Sequence, residues 1–328
     1  MNAIVLRRFG PPSGLTLEPD YPKPEPREGD VLIRAEAFGL NRSEMYTRQG
    51  HPGNAVQLPR VLGIECVGTV EAAPNTDLAP GKTVAAFMGG LGRAYDGGYA
   101  EYTRVPRAHV IPLTTTLDWR TLAALPETFA TAWGSLAMSL RIEHGQTLLV
   151  RGGTSSVGMA AISIAKDLGL TVLATTRREA RRQVLLDQGA DEVLIDNGSI
   201  AEATRHLLRD RVDAVLELVG TATLADSLRC VRPGGIVCYT GILGNEWVLH
   251  TMEAFQLIPS TVRLTTFTSD TVPASELTDA LQRIVELVET GRYRPAIHRV
   301  FAMNEITEAH AIMERGGATG KLVVDTRL

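Results

Sequence analysis

The sequence holds only three cysteines, Cys66, Cys230 and Cys238, and none forms a CxxC pair. Their odd number and wide spacing exclude a disulfide framework and offer no structural zinc site. They read as buried thiols of a reducing compartment. Long apolar runs are missing too. Segments such as 146–150 and 214–219 fall far short of the ~20 residues that a membrane span needs. There is no basic excess: the net charge of −4 argues against broad nucleic-acid binding. The opening residues, Met1-Asn2-Ala3-Ile4-Val5-Leu6-Arg7-Arg8, lack the apolar core and small-residue cleavage site of a secretion signal. These absences together predict a cytoplasmic protein without a nucleic-acid or membrane partner.

Neither His51 nor His109 stands in a pattern with Ser, Cys and carboxylate partners, so a hydrolase triad is not expected. What the sequence does have is size and ordinary balance. Its 328 residues are 44% hydrophobic and 21% charged, which suits a globular chain of two domains with full cores.

The first 110 or so residues read as β-rich. A Pro-rich lead-in (Pro22, Pro24, Pro26, then Glu28-Gly29-Asp30) feeds a strand over 31–37, with further short strands at 68–72 and 83–87. Tight turns at Pro80-Gly81 and Gly97-Gly98 suggest a barrel-like arrangement. Helical spacing begins at 119–125 and 128–139. Strands at 147–151, 171–175, 192–195, 214–217 and 236–239 then alternate with helices at 157–168, 178–188, 200–208 and 222–231. One helix between successive strands means parallel pairing, hence a doubly wound α/β sheet, with 263–268 as its edge strand. The tail carries an amphipathic helix at 274–290, a strand at 300–301, a helix at 305–315 and a strand at 321–325. It is too short to stand alone and is expected to complete the first domain.

The chemistry centres on Leu148-Leu149-Val150-Arg151-Gly152-Gly153-Thr154-Ser155-Ser156-Val157-Gly158. An apolar strand enters a turn of small residues and leaves as a helix. Backbone N–H groups at such a helix start can face a pyrophosphate because no side chain blocks the approach. Gly152, Ser155 and Gly158 are spaced as a dinucleotide fingerprint whose middle glycine has become serine. Ser155 and Ser156 either donate to phosphate or displace the cofactor by their bulk; Val157 completes the turn. The next strand ends in Thr175-Thr176-Arg177-Arg178, with Arg181-Arg182 one turn on. An acid there would hold the ribose 2′-hydroxyl of NAD, whereas guanidinium groups suit the 2′-phosphate of NADPH. Thr176, Arg177, Arg178 and Arg181 are therefore the candidates for that phosphate. Later strand ends, with Val219 in Glu217-Leu218-Val219-Gly220 and Gly241 and Ile242 in Tyr239-Thr240-Gly241-Ile242, are expected to line the nicotinamide half. Gly234-Gly235 reads as a plain turn.

These features resemble the medium-chain dehydrogenase/reductase family, in its zinc-free quinone oxidoreductase (zeta-crystallin-like) branch. The likeness runs through Gly29-Asp30-Val31-Leu32-Ile33, Gly39-Leu40-Asn41-Arg42-Ser43-Glu44, Leu62-Gly63-Ile64-Glu65-Cys66-Val67-Gly68, Gly97-Gly98-Tyr99-Ala100-Glu101-Tyr102 and Ala318-Thr319-Gly320-Lys321. It implies a GroES-like β-barrel catalytic domain over 1–118, completed by 265–328, and a Rossmann dinucleotide-binding domain over 119–264. Zinc members of the family carry Cys at the place of Asn41 and His at that of Ile64, and a four-cysteine lobe after 87–92. This chain has neither metal site. The resemblance places Asn41 near the nicotinamide ribose and the substrate and Thr131 near the carboxamide; Lys321 either contacts the cofactor or simply ends a strand near the cleft. Tyr46 orients the substrate carbonyl or relays a proton, or else is a packing or surface tyrosine; Arg48 and Trp133 read as packing residues, with lining the pocket as the alternative; and Glu65, beside the metal in zinc members, is structural here. Without a Lewis acid, a conjugated acceptor that spreads charge is favoured over a simple alcohol. The expected activity is NADPH-dependent reduction of a quinone or α,β-unsaturated carbonyl. An enoyl-thioester reductase and an NADPH-binding redox sensor with little turnover are the alternatives. A homodimer is expected from the resemblance, paired through the edge strand at 263–268.

Overall fold

The computed structural model describes residues 1–51, 56–208, 210–249 and 253–328. The chain divides into two compact units, Met1–Ala130 with Ser269–Leu328, and Thr131–Thr268. The helices that follow residue 118 up to Ala130 thus fall with the first unit, and Trp119–Leu122 packs on three of its strands.

The first unit opens with β1 (Ala3–Leu6), β2 (Leu15–Glu18), β3 (Asp30–Leu40), α1 (Arg42–Arg48), β4 (Arg60–Val61), β5 (Glu65–Ala72), β6 (Thr83–Phe87), β7 (Tyr102–Pro106), β8 (Val110–Pro112), α2 (Trp119–Leu122) and α3 (Pro126–Trp133). β3 is the spine. Along one edge its first half, Asp30 to Arg34, pairs with β7, while β5 takes the other edge through Leu32 to Ala37. Register shifts in the β3–β5 ladder are bulges, which curve a sheet and raise its twist. The curved sheet continues through β6 to β8, and β1 lies in a smaller sheet between β2 and β4.

The second unit holds β9 (Thr147–Arg151), α4 (Ser156–Asp167), β10 (Thr171–Thr176), α5 (Arg182–Asp187), β11 (Glu192–Ile195), α6 (Ala201–Leu208), β12 (Val212–Glu217), α7 (Thr221–Cys230), β13 (Val231–Tyr239), α8 (Ala254–Leu257) and β14 (Arg263–Thr266). Its six strands are all parallel, in the order β11-β10-β9-β12-β13-β14. The order reverses between β9 and β12, which makes the carboxyl ends of those two strands a ligand position. Leu148, Leu149, Val150, Val172, Leu173, Ala214, Val215 and Leu216 are buried without alternation, because helices cover both faces of a parallel sheet. Each such Leu or Val contributes roughly 1.5–3 kcal/mol. Two details depart from the sequence pattern. The helix expected over 128–139 changes to a π-helical turn at Gly134–Leu140, packed on β12, β13 and β14. Gly234-Gly235 lies within β13, where the register jumps from Val231 to Ile236.

The chain returns to the first unit with α9 (Ala274–Glu289), β15 (Ile297–Phe301), α10 (Ile306–Glu314) and β16 (Lys321–Asp325). β16 pairs antiparallel with the second half of β3, Val323 opposite Gly39. That register sets Lys321 beside the end of β3, where Asn41 starts α1.

Candidate functional site

In the second unit, β9 delivers Gly152 at φ +89°, a left-handed conformation that glycine adopts without strain. A Cβ on Gly158 would lie 2.6 Å from the Gly152 carbonyl oxygen, so only glycine lets α4 start this close to the turn. Ser155 caps α4: its hydroxyl oxygen accepts from the Gly158 N–H at 3.1 Å, while its own proton goes to the Gly152 carbonyl at 2.8 Å. Ser155 therefore stabilises the turn, with both its donor and an acceptor position engaged there. The Met159 N–H goes to the Ser155 carbonyl. The N–H groups of Ser156 and Val157, in the first helical turn, have no intrahelical acceptor and suit an anion.

At the end of β10, Thr176 is buried and its hydroxyl accepts from the Arg178 N–H at 3.2 Å. Arg177 and Arg178 are exposed and form no ion pair among the described residues. Arg181 lies near both: burial first, then repulsion from Arg178 and Arg177, holds its pKa below the usual guanidinium value. Arg182 differs. It is engaged by Glu179 at 2.5 Å and the Val193 carbonyl, which removes it from the phosphate candidates.

Beneath the turn lies a network the sequence reading missed. Arg151, wholly buried, forks onto Asp196 at 2.8 and 2.9 Å and reaches Asp226 at 2.9 Å and Ser227 at 3.0 Å. Glu217, also wholly buried, accepts from the N–H groups of Val219 at 2.6 Å and Gly220 at 3.0 Å, and from Thr223 at 3.0 Å. Burial raises the Glu217 pKa against those bonds. The loop carrying Val219 is thus held from below, and the Gly241 N–H donates to the Glu217 carbonyl, bringing Val219, Gly241 and the adjoining Ile242 to one end of the sheet. Thr131 is mostly buried; its carbonyl accepts from Ser135, whose hydroxyl meets Thr240 at 3.0 Å.

In the first unit, Asn41 caps α1 in a reciprocal box with Glu44, whose Oε2 accepts from the Asn41 N–H at 2.9 Å. The Asn41 Nδ2 group donates to Glu65 Oε1 at 2.9 Å and Glu44 Oε1 at 3.3 Å. Lys321 Nζ donates to Asn41 Oδ1 and Glu65 Oε1, both at 2.6 Å. A Cβ on Gly39 would lie 2.3 Å from Lys321 Cε, so the cluster closes only over glycine. Glu65 Oε2 takes the Glu127 N–H at 2.9 Å, and the Ile64 N–H holds Glu44. Burial pushes Glu44 up to about 7.

The Lys321 side chain is 1% exposed and ion-paired with Glu65. Arg48 is likewise buried, donating to the Gly10 carbonyl and to Glu314 at 2.9 Å. Tyr46 is mostly buried, its hydroxyl 3.4 Å from Arg42 Nε, with the guanidinium over its ring. Trp133 is half-buried, His51 is exposed, and His109 is packed against Gly89.

A family profile described as alcohol dehydrogenase GroES-like domain matches residues 27–115, and one described as zinc-binding dehydrogenase matches 188–324. The quinone oxidoreductase of Homo sapiens is 29% identical over 99% of this chain and 97% of its own length. A mycobacterial protein solved in complex with NADPH is 25% identical, with a TM-score of 0.88 and 99% of each chain covered. An NAD-dependent alcohol dehydrogenase is 27% identical, with a TM-score of 0.87, covering 99% of this chain and 100% of that one. The chain belongs to the medium-chain dehydrogenase/reductase family, in its quinone-oxidoreductase-like group. It is an oxidoreductase.

In this medium-chain dehydrogenase/reductase, the residues that sequence reasoning passed over are Arg151, Asp196, Glu217, Asp226 and Glu44. Glu44 had a readable signal, since Asn41-Arg42-Ser43-Glu44 has the spacing of a helix capping box. An arginine ending an apolar strand also asks for buried carboxylates. Which carboxylates answer depends on strand order, which composition does not reveal.

Proposed function

We propose that this oxidoreductase is an NADPH-dependent, zinc-independent reductase of a quinone or an α,β-unsaturated carbonyl. The single observation that carries the cofactor half is the guanidinium group of Arg177, Arg178 and Arg181 at the end of β10, two of them exposed and unpaired with acid among the described residues. A 2′-phosphate would satisfy them, whereas a 2′-hydroxyl would leave like charges crowded. The mycobacterial neighbour holds NADPH and the alcohol dehydrogenase neighbour is NAD-dependent, so the shared fold leaves the nucleotide open and it is the arginines that support NADPH.

The glycine turn fits the rest of a dinucleotide: Gly152 and Gly158 keep side chains away from the start of α4, and Ser156 and Val157 present N–H groups to the pyrophosphate. Val219, Gly241, Ile242 and Thr131 are the residues proposed for the nicotinamide end. Bound NADPH supplies the hydride. Zinc independence rests on Asn41 and Ile64, and on Glu65, whose charge Lys321 already neutralises. A reductase built this way suits substrates that delocalise the incoming charge. Tyr46, whose hydroxyl accepts from Arg42 at 3.4 Å, is the proposed proton donor. A homodimer through the outer edge of β14 is proposed with it and is checked by light scattering.

The test is NADPH oxidation by metal-free protein with a panel of quinones and enones. Saturable turnover, with NADH at least about tenfold poorer, supports the reading. Activity lost on chelation and restored by zinc contradicts it. Tight NADPH binding without turnover would favour a redox sensor, and turnover confined to enoyl thioesters would favour that alternative.

A further inference from the structure

Two glycines of the second unit stand where backbone freedom has to be taken away. Gly152, in the turn after β9, and Gly220, in the loop after β12, have φ of +89° and +114°. Glycine reaches such conformations without strain but is not held in them, and it loses more freedom than any other residue when it is fixed. In each case a buried side chain fixes it. The Thr175 hydroxyl accepts from the Gly152 N–H at 3.0 Å, and the Thr175 carbonyl accepts from the Gly153 N–H at 3.0 Å. Glu217 Oε1 accepts from the N–H groups of both Val219 and Gly220.

Both anchors lead to Arg151. The Thr175 hydroxyl donates to Asp196 Oδ2 at 3.4 Å, and the Arg151 guanidinium forks onto the same carboxylate. On its other side Arg151 Nη1 donates to the Ser227 hydroxyl, which donates in turn to Glu217 Oε2. A continuous series of hydrogen bonds thus joins the Gly152 N–H to the Val219 N–H, and the Leu218 N–H is tied to the Arg151 carbonyl at 3.1 Å. Arg151, Thr175, Ser227 and Glu217 are all fully buried, which shields these links from competition with water.

We propose that Arg151 is a positioning residue for the dinucleotide: through Asp196 and Thr175 it sets the glycine turn, and through Ser227 and Glu217 it sets the loop at Val219. One buried cation then keeps the pyrophosphate end and the nicotinamide end in fixed register. Naming those places as two ends of a cofactor site rests on the proposed function above; the frame of bonds does not. None of the four residues has to touch the ligand. Their contribution is preorganisation, since the glycine N–H groups are fixed before the ligand arrives and binding does not have to order them.

The experiment uses the full chain and two ligands, NADPH and 2′-phospho-ADP-ribose, which keeps the pyrophosphate but lacks the nicotinamide. Both dissociation constants are read by calorimetry. Thr175→Val removes a hydroxyl and no charge, and should weaken both ligands about tenfold, the loss of one good hydrogen bond. Thr175→Ser should restore most of the affinity. Ser227→Ala cuts the other link, and should weaken NADPH about tenfold but 2′-phospho-ADP-ribose less than about twofold. Arg151→Lys keeps the charge without the fork and should weaken both. Parent-like constants for both ligands in Thr175→Val and Ser227→Ala, with only a lower Tm, would make the network purely structural and overturn the proposal. Ser227→Ala weakening both ligands alike overturns it too, since the two arms would not be separate. Should Arg151→Lys fail to fold, the two hydroxyl variants, which keep every charge, decide alone.

Amide hydrogen exchange of the free protein separates this from the functional reading. The Gly152 N–H should be protected in the parent and exchange faster in Thr175→Val, and those of Val219 and Gly220 should exchange faster in Ser227→Ala. Rapid exchange at these positions in the parent sinks the frame. Protected amides in a chain that binds neither ligand would sink the functional reading, and with it the role in binding, while the frame of bonds stood.

Discussion

Arg151 in the second unit and Lys321 in the first are both buried cations set among carboxylates, yet they leave their surroundings in different states. Arg151 donates from Nε, Nη1 and Nη2 to Asp196, Asp226, Thr223 and Ser227, and every contact stays inside the network. Lys321 spends its bonds on Glu65 and on Asn41, the half-buried cap of α1. The first arrangement is a scaffold: it joins β9, the Asp196 turn and α7 below the glycine turn. The second is a scaffold that ends on a half-buried side chain at a helix cap. Burial and charge alone do not distinguish the two networks; where each one ends does.

The strongest challenge to that comparison is Arg151→Met. It strands Asp196 and Asp226 without their cation, and denaturant unfolding should show a loss of about 3–5 kcal/mol. A small loss would mean the network is not the scaffold described. The second challenge stays within the same unit but at its surface. Arg177→Ala/Arg178→Ala removes exposed guanidiniums, so stability should hardly change, while NADPH affinity should fall roughly 10- to 100-fold with NADH affinity untouched. Equal losses for both nucleotides would break the contrast between saturated and unsaturated arginines.

The third prediction uses a pH contrast inside the first unit. His310 is buried against Tyr99, its Nε2 3.1 Å from the phenol oxygen, and burial, then the Arg48 charge, lower its pKa from 6.5 to about 3. The unfolded chain takes up a proton that the folded one refuses, so stability is full above pH 6.5 and falls with acidification toward pH 3. By pH 5 the loss is about 2 kcal/mol, and His310→Gln should flatten that limb in pH-dependent unfolding. Glu44 works with the opposite sign: raised from 4.5 to about 7, it costs stability as pH rises through that window. An acid limb unchanged in His310→Gln would place the titrating group elsewhere. The smallest expected effect is Ser155. Replacing it with Ala removes a helix cap worth about 1 kcal/mol, whereas Gly, the family's usual residue there, costs only a few tenths. Neither should alter the preference between nucleotides.

The second unit was legible because its signals are local. Apolar strands separated by single helices imply a parallel sheet, and a glycine turn between strand and helix implies a phosphate-binding start. Arg177 and Arg178 could be read for the same reason, being fixed to the end of β10. The first unit was less legible, since its spine β3 takes β7, β5 and β16 as partners and nothing near residue 40 announces a strand at 321. The Lys321–Asn41–Glu65 cluster exists only because of that long-range pairing, so no local pattern near either end announces it. The π-helical turn at Gly134–Leu140 was read as ordinary helix because its apolar spacing fits both; packing on β13 and β14 decides. Ser155 shows a limit of motif matching: the pattern marks a missing glycine, and only the capping geometry shows what the hydroxyl does instead.

The account stands most directly on one titration, metal-free protein with NADPH and then with NADH, followed by fluorescence. The account predicts NADPH binding at least about tenfold tighter, a difference of about 1.4 kcal/mol. NADH binding as tightly or more tightly would contradict it, leaving the fold in place and the arginines at the end of β10 without the phosphate assigned to them.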